Sequence, residues 1–495
     1  MIDHNEQYKK LGLGEKKSYR LFINGEFREP GTGRYFEVID PSNNRTIARV
    51  PQATEQDIDD AVRAAREALP VWQGMSIAKR KGVLLKISAL CDRYEEDFAG
   101  LESMNVGAPF TLAKRFSSAA LSKSFEYFAN WIERIYGEVV PLTGSFPSID
   151  YTMKEPLGCI AAITSWNTPT LFIGSKVAPA LAAGNAVIIK PSEKAPLPAL
   201  RLAEILGEAG IPKGLVSVVT GSPETGASMA SHPGIDGISF TGGTEIGKKI
   251  MAQASSNLKK VSLELGGKSP LVIFSDADID KAVMMAAYGV FGLSGQMCIA
   301  CSRIFVETAV YGDFVQKFSA FVQTMKLGDP ADQTTLIGPL ISKAHLGRVA
   351  SYVEEGKKYG RCVLDGTGAA QGDLRDGNFF GPTVFTDMPL SCRTAREEIF
   401  GPVAIVTPFS TEEEAVQRAN DTAYGLAAGV FTRDISRAHR LARQIKAGQV
   451  WINTYSLLPH TIPFGGMKQS GFGKEGGKEA MESFMTLKNV YVDLS

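Results

Sequence analysis

Three features of the 495-residue chain predict an α/β protein with two lobes, each built on a largely parallel sheet. From residue 157 onward, short apolar runs alternate with helix-like segments at a density that calls for βαβ units with helices on both faces of a sheet. A second strand and helix series runs from SPLVIF to GQVWIN, and the chain is 44% apolar, enough material for about three domains of ordinary size. Before residue 138 lie a hairpin-like start, YRLFINGEF and YFEVIDP, and three long helical stretches. The first α/β series then reads CIAAIT, TLFIGSKVAPALAAG, AVIIK, LPALRLAEILGEAG, LVSVVT, GISF, EIGKKIMAQA and VSLEL. Sheets of this kind bind ligands beyond the carboxyl ends of their strands. Those ends are where chemistry is expected.

Composition removes several function classes. Lys plus Arg and Asp plus Glu both total 53, so no global field draws the chain to nucleic acid or to an anionic membrane. The amino terminus MIDHNEQYKKLGLGEKK is charged and has no apolar h-region, and no apolar run approaches the length that spans a bilayer. A cytoplasmic protein is expected. Six cysteines are too few for a disulfide scaffold and fit a reducing compartment. Cys298 and Cys301 form a C-x-x-C, but no second pair and no histidine pair at zinc spacing follows, so no metal is expected. Cys301 reads as small core filler, with a reversible bond to Cys298 under peroxide as the alternative.

Cys298 lies in FGLSGQMCIACSR, and upstream of it Glu264 ends the strand-like run KKVSLEL before Gly266 and Gly267. A soft nucleophile and a carboxylate, each in a glycine-punctuated segment, suggest covalent chemistry followed by activation of water. FTGGTEIGKK, residues 240 to 249, is a strand-to-helix junction at which Gly242, Gly243 and Gly247 let backbone amides approach a phosphate. Gly242 to Lys248 nearly makes a P-loop, yet Lys249 stands where that motif needs Ser or Thr. A tight turn that binds nothing explains the glycines equally well. In IIKPSEKAP, Lys190 and Glu193 follow a strand, where a carboxylate can accept hydrogen bonds from ribose hydroxyls and would repel a 2′-phosphate. That favours NAD over NADP, although a solvated charge pair around a proline turn fits the same residues. In SWNTPT, Asn167 can donate to a developing oxyanion or can simply shape a turn.

Taken in order, SWNTP, KPSE, FTGGTEIG, LELGGKSP, GQMC, EEIFGPV and PFGGMKQSGFGKE resemble the aldehyde dehydrogenase superfamily over residues 20 to 490. The resemblance implies a Rossmann-like cofactor domain (1–137 and 157–266), an α/β catalytic domain (267–477) and a small β bridging and oligomerisation element (138–156 and 478–495). Dimers or tetramers would form through the tail KNVYVDLS. It implies that Cys298 attacks an aldehyde, that Asn167 and the Cys298 amide hold the oxyanion, and that Glu264 activates the water that hydrolyses the thioester. Lys176 and Glu475 match positions on a proton path or in support of Glu264. Thr164, Ser165, Trp166, Lys190, Ser192, Glu193, Gly226, Phe240, Thr241, Gly242, Gly243, Gly247, Leu265, Gly266, Glu398 and Phe400 would surround NAD. Relatives that transfer the acyl group to coenzyme A typically lack the glutamate, so its presence implies a free acid product.

Two departures concern Gly243, where many relatives carry serine, and SWNTP, where relatives often carry Pro at 165 and a larger aromatic at 168. Thr168 and Ser175 would leave a roomy tunnel, and Phe116, Leu171, Met297, Ile299, Leu458 and Phe464 would make it apolar. Core packing is the alternative for each apolar residue. A bulky aromatic or medium-chain aldehyde is expected, and Arg115 beside Phe116 adds a carboxylated semialdehyde; His460 is read as a surface loop residue. The rival readings are a P-loop-like nucleotide enzyme, a cysteine hydrolase using one of five histidines, and a non-catalytic protein on the same scaffold.

Overall fold

The computed structural model describes residues 4–144 and 147–495. Residues 1–3 and 145–146, which fall in the ranges expected for the cofactor domain and the bridging element, lie outside the described residues. Five parallel strands form the centre of the first sheet, in the order Lys260–Glu264, Gly237–Thr241, Cys159–Ile163, Ala186–Lys190 and Val216–Val218. Helices Pro169–Ala182, Leu197–Ala209, Pro223–Ser231 and Thr244–Ala254 connect them. The central strands are buried along their whole length, which is why they read as continuous apolar runs rather than as an alternation.

The amino-terminal segment differs in pairing from a single hairpin. YRLFINGEF closes on itself, Leu21–Ile23 against Glu26–Arg28, through Asn24 and Gly25 at φ 55 and 76, the positive angles a two-residue hairpin turn demands. This hairpin extends the first sheet by pairing Phe22 with Val218, while Tyr35–Ile39 pairs separately with Thr46–Pro51. Four long helices follow, Glu55–Gly74, Ile77–Arg93, Glu95–Val106 and Ala119–Trp131, the last entered through a π-helical turn, Ala113–Ser118. Trp72 is buried between the first of these and helix Pro169–Ala182, donating its Nε1–H to the Leu181 carbonyl at 3.0 Å.

The second sheet runs Arg361–Leu364, Thr383–Thr386, Val403–Phe409, Arg303–Glu307, Pro270–Ile273, Ala427–Phe431 and Gln449–Ile452, parallel except for its first edge strand. A three-stranded antiparallel sheet joins Met485–Asp493, Ser148–Pro156 and Val139–Val140. One connection matters for the site. Gly471–Phe472 adds an antiparallel edge to the first sheet, pairing Gly471 with Glu264. The chain that leaves the second sheet thus returns to the strand end that carries Glu264. Among the described residues no helix is long and apolar enough to cross a membrane.

Replacing Trp72 by alanine removes a buried indole and its hydrogen bond, and is expected to cost about 3–5 kcal/mol. A lowered urea midpoint followed by circular dichroism checks this.

Candidate active site

Cys298 sits in a turn between helix Ile279–Phe291 and strand Arg303–Glu307. Three consecutive residues before it, Leu293, Ser294 and Gly295, have φ of 48, 60 and 72. A non-glycine residue adopts the left-handed region only at a cost, so two in succession mark a backbone held there by its surroundings. At Gly295 a Cβ would collide with the Gly401 carbonyl, and at Gly267 one would collide with the carbonyl of Cys298 itself. The glycine-rich turn after Glu264 therefore passes directly against the Cys298 segment. That close approach is what Gly267 permits.

Asn167 follows strand Cys159–Ile163 and precedes helix Pro169–Ala182, whose first turn accommodates Pro169 at no hydrogen-bond cost. Its buried side chain donates one Nδ2–H to the carbonyl of Gln296 at 3.0 Å. Glu264 is also buried, and neither carboxylate oxygen has a hydrogen-bond partner among the described residues. Burial holds its pKa well above the ordinary carboxylate value, the negative charge of Glu475 adds to this, and Lys176 and Lys474 oppose it. A Cβ at Gly465 would stand 2.6 Å from Glu264 Oε1, so that glycine makes room for the carboxyl.

Behind Glu264 lies a buried ion pair between Lys176 Nζ and Glu475 Oε1. Lys176 also donates to Ser239 Oγ at 3.0 Å, Ser175 Oγ donates to Glu475 Oε2 at 2.8 Å, and Thr241 Oγ1 donates to Oε1 at 3.4 Å. Glu475 and Phe464 exchange both backbone hydrogen bonds, at 2.6 and 2.7 Å. The Cys298 thiol is pushed up by burial and by the negative charges of Glu398, Glu264 and Glu475, against its own backbone amide, which favours the thiolate.

A second group of residues lines the carboxyl ends of the first sheet. Lys190 Nζ is buried and donates to the Pro191 carbonyl at 3.1 Å; burial lowers its pKa to about 8, opposed by Glu193 and Glu224. Gly226 lies over its stem, with a Cβ there 3.5 Å from Lys190 Cδ. The Thr164 amide donates to the Lys190 carbonyl at 3.1 Å, and Ser192 Oγ stands 3.5 Å from Glu193 Oε2. Strand Gly237–Thr241 delivers Phe240 and Thr241 to Gly242, where a Cβ would strike the Phe240 ring. Gly243 is the N-cap of helix Thr244–Ala254, with open space around the position of a Cβ. At Gly247 a Cβ would stand 2.5 Å from Leu265 Cδ2, so this glycine seats the helix against the sheet. Glu398 Oε1 accepts the Gly267 amide at 2.9 Å, and Gly266 leaves room for the same carboxyl, whose pKa burial raises to about 7.

Asn167 is bonded to the carbonyl two residues before Cys298, the turn after Glu264 passes the Cys298 carbonyl, and the charge of Glu264 acts on the thiol, so these three groups are neighbours. Residues 27–490 match the family model described as the aldehyde dehydrogenase family.

The chain belongs to the aldehyde dehydrogenase family.

It is 44% identical over 478 residues to aldehyde dehydrogenase 1 of Tanacetum cinerariifolium, covering 96% of this chain and 95% of that one. Among solved structures, a mutant aldehyde dehydrogenase from Bacillus cereus superposes with a TM-score of 0.95 at 39% identity, covering 99% of each chain. Betaine aldehyde dehydrogenase from Staphylococcus aureus, in complex with NAD+, superposes with a TM-score of 0.94 at 37% identity, covering 99% of this chain and 96% of that one. The aldehyde dehydrogenase fold thus accounts for both lobes.

The residues expected around the substrate divide. Met297, Leu458 and Phe464 join Cys298 as half-buried groups packed on one core cluster. Leu171 and Thr168 are half-buried at the start of helix Pro169–Ala182. Ile299 turns inward: it is buried in that core, and its carbonyl accepts the Tyr455 hydroxyl at 2.7 Å. The Ser175 hydroxyl is engaged by Glu475, and Phe116 is 52% exposed beneath the Arg115 guanidinium. His460 is half-buried against Tyr127, with ring centroids 5.4 Å apart, rather than a free surface group. Cys301 is buried core filler, and all six cysteines are free.

Two groups escape sequence reasoning. His345 packs edge-on against Trp166 at 5.7 Å and donates Nε2–H to the Phe400 carbonyl at 2.7 Å; burial lowers its pKa to about 4, so the ring is neutral. Trp166 and Phe400 complete this aromatic cluster at 5.2 Å. Nothing in KAHLGR signals it, because the contact is made across lobes. Gln296 is the other, visible only as the letter before Met297 in GQMC.

In the ligand-free protein, alkylation of Cys298 by iodoacetamide is expected to keep accelerating above about pH 9.5, one unit past the ordinary thiol pKa of about 8.5, where an ordinary thiol levels off. Glu475→Gln should shift that rise to lower pH. Peptide-resolved mass spectrometry measures Cys298 separately from the half-buried Cys362 and Cys392.

Proposed function

We propose that the protein oxidises an aldehyde to its free carboxylic acid with NAD, through covalent attachment of the substrate to Cys298. The observation that carries this reading is the buried Glu264 carboxyl, without a hydrogen-bond partner among the described residues, on the strand whose following turn passes the Cys298 carbonyl. A thioester left on a cysteine needs a base to bring water to it, and a carboxylate of raised pKa is suited to take a proton near neutral pH.

The residues present fit a nicotinamide dinucleotide. Gly243 offers an unobstructed helix N-terminus to a pyrophosphate, Lys190 and Glu193 stand where ribose hydroxyls can be held, and Glu398 is fixed by the Gly267 amide. Glu193 supports NAD over NADP, since a 2′-phosphate would meet its negative charge. When bound, the nicotinamide supplies a hydride acceptor.

The chain's own residues do the rest. Cys298 gives its proton to water and as the thiolate its Sγ adds to the carbonyl carbon, and the oxyanion that forms takes the second Asn167 Nδ2–H and the Cys298 amide. After hydride loss the acyl group stays on Sγ as a thioester. Glu264 removes a proton from water, the hydroxyl adds to the acyl carbon, and the Sγ–C bond breaks to release the acid. Lys176, Lys474 and Glu475 set the charge that Glu264 feels, and the Lys176–Glu475 pair is suited to carry that proton outward.

Leu171, Met297, Leu458 and Phe464 support an apolar substrate channel, which favours a bulky aromatic or medium-chain aldehyde. Exposed Arg115 keeps a semialdehyde in view, and a screen of NADH formation over aliphatic, aromatic and carboxylated aldehydes decides among them. Oligomerisation is supported by the edge strand Met485–Asp493, which leaves Leu487 64% and Tyr491 57% exposed on one chain. Six free cysteines support a reducing, cytoplasmic setting.

Glu264→Gln is expected to form acyl-enzyme and one burst of NADH, then to turn over at least about 100-fold more slowly. In the unmutated enzyme the acid limb of kcat should lie well above the ordinary glutamate value of about 4.3, because Glu264 must lose its proton to act. NAD affinity of the free enzyme should weaken as pH rises through about 8, where Lys190 loses its charge. Calorimetric titration checks this, and Lys190→Met should bind more weakly with no such limb.

A further inference from the structure

The carbonyl that holds Asn167 belongs to Gln296, which has no part in the chemistry above. Its side chain is buried and engaged on every polar atom. Oε1 accepts the Ile341 amide at 2.9 Å, and Nε2 donates to the carbonyls of Leu293 at 3.3 Å and Pro339 at 3.4 Å. The same 338–341 segment accepts the Ser294 hydroxyl at the Gly338 carbonyl, 2.8 Å away. The left-handed residues Leu293 and Ser294 are thus fastened to the second lobe immediately before the nucleophile.

We propose that Gln296 is a positioning residue for oxyanion binding, acting by fixing the carbonyl that takes one of the two Asn167 N–H groups. A primary amide has two donors in one plane. When one is held by an immobile acceptor, rotation of the side chain stops and the direction of the other is determined. A carbonyl in an unsupported loop would drift with the loop. This one is pinned by three side-chain hydrogen bonds of its own residue, so Asn167 on the first lobe is aimed by a group anchored in the second. Two positions separate that anchor from Cys298, so the donor and the nucleophile share one reference. The proposal rests on the reading of Cys298 as nucleophile and Asn167 as oxyanion donor.

Gln296→Glu keeps the acceptor for Ile341 but turns an oxygen toward two carbonyls, and Gln296→Met removes all three hydrogen bonds. Each is expected to lower kcat by about 10- to 100-fold, less than the roughly 100- to 1000-fold loss expected for Asn167→Ala, with KM for NAD within about twofold. The deciding measurement is the pair combined. If Gln296 acts through Asn167, the Gln296→Met, Asn167→Ala enzyme is no slower than Asn167→Ala. Losses that multiply would overturn the proposal, as would either Gln296 variant retaining full kcat. Full kcat in Asn167→Ala would instead remove the oxyanion role of Asn167, and the proposal with it. Thermal melts accompany each variant, and unfolding of both Gln296 variants would make the residue a folding determinant and overturn its positioning role.

Discussion

The buried ion pair of Lys176 and Glu475 ties the site together. Lys176 lies on the helix that begins just after Asn167, and Glu475 lies on the segment that returns from the second sheet. Each charge is expensive to bury alone, so each holds the other's element in place, and Ser175, Ser239 and Thr241 satisfy the remaining polar valences. Glu264 inherits its surroundings from this pair. Burial raises its pKa, the negative end of the pair adds to that rise, and the positive end limits it.

Around the pair, backbone is brought against backbone at several glycines, each for a different reason. Gly267 lets the turn after Glu264 pass the Cys298 carbonyl, Gly295 lets the loop before Cys298 meet Gly401, and Gly465 admits the Glu264 carboxyl. Gly243 stands apart, because a side chain there would meet nothing. Its role is to leave a helix N-terminus uncovered, which suits an anionic ligand.

Much of this was legible in the order of residues. Strands such as CIAAIT and AVIIK carry their burial in unbroken apolar runs, and YRLFINGEF reads as the hairpin-like start that it forms. Sequence reasoning stopped where a contact joins segments far apart in the chain. The inward turn of Ile299, whose carbonyl accepts the Tyr455 hydroxyl, and the commitment of Ser175 to Glu475 are of that kind.

By itself the sequence determined the α/β class, the candidate cysteine and carboxylate, and the glycine-marked strand ends, because periodicity and residue chemistry are local properties. Only the tertiary structure decided that the Glu264 carboxyl has no hydrogen-bond partner among the described residues, that His345 stays neutral beneath Trp166 and Phe400, and that Gln296 joins Asn167 to the loop before Cys298. Those facts are electrostatic and geometric. They exist only once burial removes water and distant segments supply, or withhold, the replacement hydrogen bonds.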